Sequence, residues 1–178
     1  MINHAWLGEQ IEAALGDGSD YGVHITYSPE CEKGLETAGG IANALPLLGD
    51  APFLVVNGDI FTDYPFQQLR EVDLSQDRLA HLVMIDNPDH HIAGDWGMVG
   101  GLASKAAQSY YTFSGIGLYH PTLFAHTAVG KKAKLLPLFL AAMQAEKISA
   151  EYYTGRWFDV GTIERLAIAN EMAMHLFL

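Results

Sequence analysis

The run Phe53-Leu54-Val55-Val56 is apolar at every position and leads directly into Asn57-Gly58-Asp59. A strand with one wet face alternates apolar and polar side chains, so a short run without alternation is the pattern of a parallel strand buried on both faces. This predicts a central strand at 53–57 and a sheet with helices packed over it. Residues 79–85 form a second run of the same kind, stopped by Asn87-Pro88, and residues 110–119 a third, with glycines inside it.

Between these runs the period changes from two to that of a helix. Leu7, Ile11 and Leu15 recur at helical spacing in 5–15, with Gly16-Asp17-Gly18 as the stop. The chain therefore opens on a helix, with no strand before it, although the first strand and its glycine-rich turn usually form the nucleotide cradle of a doubly wound sheet. Residues 23–27 alternate as a strand ending at Ser28-Pro29. Residues 37–48 suit a helix of small residues packed tightly on a sheet despite Gly39 and Gly40. Pro121 starts a helical turn, 135–147 read as a helix, 148–153 as a strand and 162–175 as a closing helix capped by Thr162. Strands alternating with helices predict an α/β chain with a mostly parallel sheet. At 178 residues and 49% hydrophobic content, residues 1–178 fit one domain.

The apolar stretches stop well short of the roughly 18 to 20 residues that cross a bilayer, and the N-terminus lacks the basic start and apolar run of a leader. A single cysteine, Cys31, has no intramolecular disulfide partner and stands between Glu30 and Glu32, which disfavour a thiolate. Both features predict a cytoplasmic protein outside the membrane. A formal charge of −11 repels nucleic acid, and the ten basic residues make no stripe beyond Lys131, Lys132 and Lys134, which read as a solvated approach to a helix. An anionic ligand would need charge from elsewhere, and Mg²⁺ is the expected source.

Ligands of open α/β sheets sit beyond the carboxyl ends of the strands, where Asp59 falls. Taken alone, an aspartate there reads equally as a ligand or a turn former. Asp159 follows Trp157-Phe158 and precedes Gly161-Thr162, and a carboxylate among aromatic residues needs a partner such as Arg156, the Thr162 cap region or a cation. Two aspartates could share one Mg²⁺, which takes one or two protein carboxylates and leaves its other positions to water and phosphate. Leu35-Glu36-Thr37-Ala38-Gly39-Gly40 runs into a helix start and reads either as a capped, closely packed helix or as a place where backbone meets an anion or a base carbonyl.

Six segments in order, Ile2 to Leu7, Leu35 to Gly40, Val56 to Asp59, Gly94 to Gly97, Thr112 to Tyr119 and Trp157 to Thr162, resemble the sugar nucleotidyltransferase family, within it the branch of N-acetylmuramate 1-phosphate uridylyltransferases. The resemblance implies a three-layer, Rossmann-like nucleotide-diphospho-sugar transferase fold. It implies transfer from a nucleoside triphosphate, UTP, to a sugar 1-phosphate with release of pyrophosphate, in cell-wall sugar recycling. Asp59 and Asp159 match the aspartates that hold the catalytic Mg²⁺. Glu36, Thr37 and Gly39 match contacts to base and ribose, and Asn57 and Gly58 belong to the substrate-binding motif. Gly97 matches a glycine whose backbone meets the sugar, and Ser114 and Gly115 match the wall of the sugar pocket.

The family's glycine-rich signature, with its arginine and lysine, has no counterpart. The expectation is a chain lacking on the order of 50 N-terminal residues, the first strand included, judged at roughly 30 residues per βαβ unit. The Glu-Lys pair of related thymidylyltransferases is also absent, leaving Lys105 as a candidate. His90-His91 read as a solvated loop, since adjacent histidines seldom converge on one metal. The alternatives are a mannose 1-phosphate guanylyltransferase, a glucose 1-phosphate thymidylyltransferase, or a fragment that binds a sugar nucleotide without turning it over.

Overall fold

Six strands hydrogen-bond into the main sheet of the computed structural model, which describes residues 1–30, 34–74 and 77–176. Cys31 lies outside the described residues. The chain divides into two compact units, Met1–Ala51 with Pro121–Ala141, and Pro52–His120 with Ala142–Leu178.

The first unit holds β1 (Ile2–His4), α1 (Gly8–Leu15), β2 (Tyr27–Pro29), α2 (Glu36–Leu48) and a 3₁₀ turn at Pro121–Phe124. The chain thus opens on a strand and not directly on a helix, because β1 pairs in parallel with β2, Asn3 standing opposite Ser28. Three residues are too few for a period to show. The strand expected at 23–27 begins only at Tyr27, since the Val23 and Ile25 N–H groups donate to Gly18 and Asp17 carbonyls at 3.1 and 2.7 Å. In α2 the buried side is Ala38, Gly39, Gly40, Ile41, Ala42 and Ala44. Glycine costs helix stability, yet a Cβ at Gly39 would collide with the Lys131 carbonyl and one at Gly40 with the Glu30 carboxylate. The helix is built of small residues so that backbone and carboxylate can lie against it.

The second unit holds β3 (Phe53–Val56), β4 (Ile60–Thr62), β5 (Ala80–Ile85), β6 (Gly97–Val99), β7 (Leu102–Ser104), β8 (Thr112–Tyr119), β9 (Ile148–Tyr152), β10 (Trp157–Asp159) and α4 (Ile163–Leu176). A further helix, α3 (Leu135–Gln144), starts in the first unit and ends in the second. The main sheet has the order β3-β8-β5-β9-β7-β6. The α/β class stands, but the sheet is mixed: β5 pairs in parallel with β9, and its other described pairings are antiparallel. An apolar run reports burial on both faces and carries no information about strand direction, which is why the expected predominance of parallel pairing fails. The doubly buried strand is β5, buried at all six positions. β3, expected at the centre, stands at the end of the order, with Leu54 and Val56 40% and 39% exposed.

The core of this unit gathers Tyr64, Leu69, Val83 and Ile116. Near its site end, the β5–β8 register shifts between Leu82 and Met84, a bulge next to Gly115 of β8. The α4 start is capped as expected: the Arg165 N–H donates to Thr162 Oγ1 at 3.2 Å. No helix among the described residues is long and apolar enough to cross a membrane.

Candidate active site

Asp59 and Asp159, one hundred positions apart, meet because β4 and β10 form a two-stranded antiparallel ribbon. Its register sets Ile60 against Asp159 and Thr62 against Trp157. The ladder continues past Asp159, where the Val160 N–H donates to the Asp59 carbonyl at 2.7 Å. Both aspartates line one hollow of about 270 Å³, with Asn57, Ser114, Gly115, His90 and Trp157 also in its wall. A second hollow of about 380 Å³ shares Pro88, His90, Trp157 and Asp159 with it and adds Asp86, Thr154 and Arg165. The two form one cleft beside the ribbon.

The carboxylates differ in their surroundings. Asp59 is exposed, and its carboxylate has no partner among the described residues. Asp159 Oδ2 accepts from Arg165 Nη1 at 2.5 Å, and its Oδ1 lies 3.4 Å from His90 Nε2. Arg156 is not the partner of Asp159. Its Nε and N–H donate to Asp63 at 2.8 and 2.7 Å, and Asp63 also accepts from the Tyr153 hydroxyl. The Tyr153 hydrogen bond first, then that from Arg156, holds the Asp63 carboxyl down at about 2. Burial, followed by the bond to Asp63, pushes the Tyr153 hydroxyl up to about 12. Thr62 Oγ1 closes the same end by donating to the Arg156 carbonyl at 2.7 Å.

The wall opposite the ribbon is β8. Gly115 is at φ +78°, and a Cβ there would sit 2.6 Å from Asn57 Nδ2, so only glycine fits without strain. Its carbonyl accepts from the Asn57 N–H at 3.0 Å, tying the Asn57-Gly58-Asp59 turn to β8. Ser114 is buried, and its carbonyl accepts from Trp157 Nε1 at 2.9 Å, which ties β10 to the same strand. Gly97 is buried on β6, where a Cβ would collide with the Ser109 carbonyl. Lys105 is exposed after β7 and lines neither hollow.

Glu36, Thr37 and Gly39 lie at the start of α2 in the first unit. Glu36 is at φ +61°, a strained value for a side-chain-bearing residue. The Ala38 and Gly39 N–H groups donate to the Ala133 carbonyl at 3.0 and 3.1 Å, so those two donors are already engaged within that unit.

Three residues beside the two aspartates carry no role in the sequence reading: His90, His91 and Arg165. His90 and His91, expected on a solvated loop, are indeed half-exposed, on a 3₁₀ turn, Asp89–His91, and do not converge: His90 faces Asp159, and His91 Nε2 lies 3.2 Å from Asp95 Oδ1. The available signal was their place after β5, where loops of α/β sheets carry ligands. Arg165 had none, being six positions beyond Asp159 in another element.

Among the described residues no group of three or more His, Cys, Asp or Glu side chains forms a metal cage. A pair of carboxylates facing one cleft, one of them without a partner, suits Mg²⁺ better than a soft, fully enclosed ion, because Mg²⁺ keeps most of its water.

Residues 1–175 match the family model described as nucleotidyl transferase. A relative from Neisseria meningitidis serogroup B, an N-acetylmuramate alpha-1-phosphate uridylyltransferase, is 48% identical over 97% of this chain and 77% of its own length. The mannose-1-phosphate guanylyltransferase catalytic subunit beta of Drosophila pseudoobscura pseudoobscura is 26% identical over 88% of this chain, which spans 45% of that protein. The fold is shared with the inositol-1-phosphate CTP transferase from T. maritima, at a TM-score of 0.66 and 15% identity over 96% of this chain and 73% of that one. It is also shared with HddC from Yersinia pseudotuberculosis, at 0.69 and 20% over 96% and 76%.

Proposed function

The chain belongs to the nucleotidyl transferase family, and from that premise we propose that it forms one domain that makes UDP-N-acetylmuramate from UTP and N-acetylmuramate 1-phosphate. An oxygen of the sugar phosphate bonds to the α-phosphorus of UTP, the bond from that phosphorus to the bridging oxygen breaks, and pyrophosphate leaves. The likeness to the Neisseria relative, at 48% identity, supports this choice of nucleotide and sugar over the guanylyl transfer of the more distant Drosophila relative.

The observation that carries the reading is the convergence of Asp59 and Asp159 on one hollow. We assign both to a single Mg²⁺, which when bound supplies the positive charge that a chain of net charge −11 lacks. The remaining work is positioning, on which phosphoryl-transfer catalysis largely depends. Asn57 and Gly58 carry Asp59 on a turn fixed to Gly115, and Ser114, Gly115 and the Gly97 backbone take the sugar. Of the residues matched to base and ribose, we assign Glu36 and Thr37 to that contact; Gly39, whose N–H is engaged by the Ala133 carbonyl, serves by leaving room. We place the reaction in the cytoplasm and in the recycling of cell-wall sugars, in keeping with the single cysteine.

The test is pyrophosphate release by the purified full-length protein, signature segment included, with UTP and N-acetylmuramate 1-phosphate, beside GTP with mannose 1-phosphate and dTTP with glucose 1-phosphate. Turnover with the first pair, lost on chelation of divalent cations, is expected. Preference for either other pair would reassign the substrate, and none with any would overturn the proposal.

A further inference from the structure

Arg165 stands where a cation is least welcome for the helix that carries it. It lies in the first turn of α4, whose exposed N–H groups already make a partial positive charge. Its guanidinium is nevertheless held in one place. Nη1 donates to Asp159 Oδ2 at 2.5 Å and lies 3.2 Å from His90 Nε2, which itself faces Asp159 Oδ1 at 3.4 Å. The residue beneath completes the seat: a Cβ on Gly161 would collide with Arg165 Nη2. Gly161 is not at positive φ, so a Cβ there would be accommodated by moving the guanidinium and not by straining the backbone. Both Asp159 oxygens therefore face a nitrogen of a neighbouring side chain. The pair is not sealed, since the side chains of Arg165 and Asp159 are 25% and 22% exposed.

We propose that Arg165 is a resident counter-ion for Asp159, one that a divalent cation must displace and that then turns to a phosphate of the substrate. The inference rests on the assignment of Asp59 and Asp159 to one divalent cation. A dication arriving at Asp159 meets the guanidinium charge at contact distance, and the two repel while they share one carboxylate. Displacement frees a planar, permanently charged donor fork inside the larger hollow, which Arg165 lines and which the phosphates of a sugar nucleotide could reach. Arg165 thus links the ion to the substrate: it opposes ion binding to the empty site and favours it once phosphate offers a new partner. In this role it positions and does not itself react.

Mn²⁺ binding to the purified protein without nucleotide, followed by the electron paramagnetic resonance of the free ion, tests this directly. Arg165→Gln should bind Mn²⁺ more tightly than the parent by about tenfold. Gly161→Ala, which keeps every charge but unseats the guanidinium, should also bind more tightly, by a smaller factor. Structural damage would weaken binding, so tightening is specific to release of a competitor. Thermal melts of each variant confirm folding, and Gly161→Ala carries the test should Arg165→Gln not fold. Parental or weaker Mn²⁺ affinity in the folded variants would overturn the counter-ion role while leaving the two-aspartate site standing. Absence of saturable Mn²⁺ binding in the parent, or unchanged binding in Asp159→Asn, would overturn both.

Discussion

The two ends of the β4–β10 ribbon use the same residue type for opposite purposes. At one end Asp63 is saturated: a tyrosine hydroxyl, a guanidinium and a backbone N–H all donate to its carboxylate, and Thr62 bonds across the strands beside it. At the other end, three residues of strand away, Asp59 has no partner among the described residues, and Asp159 has two, Arg165 and His90, both with partly exposed side chains. Hydrogen bonds that anchor the ribbon are concentrated away from the hollow that the two aspartates share. The Asp59 carboxylate is left to be satisfied by something that arrives, the Asp159 carboxylate is held by side chains that can be displaced, and the clamp lets that end stay under-bonded without fraying.

This contrast can be broken from either end. The largest effect is expected at the cleft: Asp59→Asn or Asp159→Asn should lower turnover by on the order of 10²- to 10³-fold, the scale of losing one electrostatic contact to the reacting group. The melting temperature should barely move, and a large fall would show that these carboxylates are structural. Next comes Gly115→Ala, which forces a side chain into left-handed backbone against Asn57 and should cost about 1 to 3 kcal/mol, read by urea titration. At the clamp, Asp63→Asn should cost about 1 kcal/mol, a value discounted because the side chain is over a third exposed. That loss depends on pH with a definite sign. The folded pKa, about 2, lies below the ordinary aspartate value, so the stabilisation is complete above roughly pH 4 and vanishes as pH falls through 2. Denaturation curves of parent and Asp63→Asn should converge on acidification, and a gap that stays constant would mean the carboxylate charge is not what the clamp uses. The smallest effect is Thr62→Val, about 0.5 to 1 kcal/mol from one partly exposed hydrogen bond, with turnover nearly unchanged.

The sequence made the cleft end more legible than the clamp. Asn57-Gly58-Asp59 and Trp157-Phe158-Asp159 each stand at a strand end, and both reach one hollow. What failed was pairing. Arg156 was offered to Asp159 for its nearness, but on a strand side chains alternate, so residues three apart point to opposite faces, and Arg156 turned to Asp63. The partner it does have, Arg165, lies six residues on, in the first turn of the next helix, where strand spacing gives no guide. Strand direction was illegible too: an apolar run records how much is buried and not what lies alongside. The β6–β7 hairpin, by contrast, was written plainly and left unread. Gly100-Gly101 joins the strands as a two-residue loop with both φ angles positive, the geometry glycine pairs favour in tight hairpins.

The ribbon is stitched from segments that leave the ribosome far apart in time. Asp59 and its neighbour across the ladder, Val160, are about a hundred positions apart, and five strands of the main sheet, β5 to β9, lie between them in sequence. Contacts of such long sequence separation close late, after their entropic cost has been met by other pairings. The cleft is therefore assembled late: much of the core can gather while the two carboxylates are still apart, and they share one hollow only once the ribbon has closed.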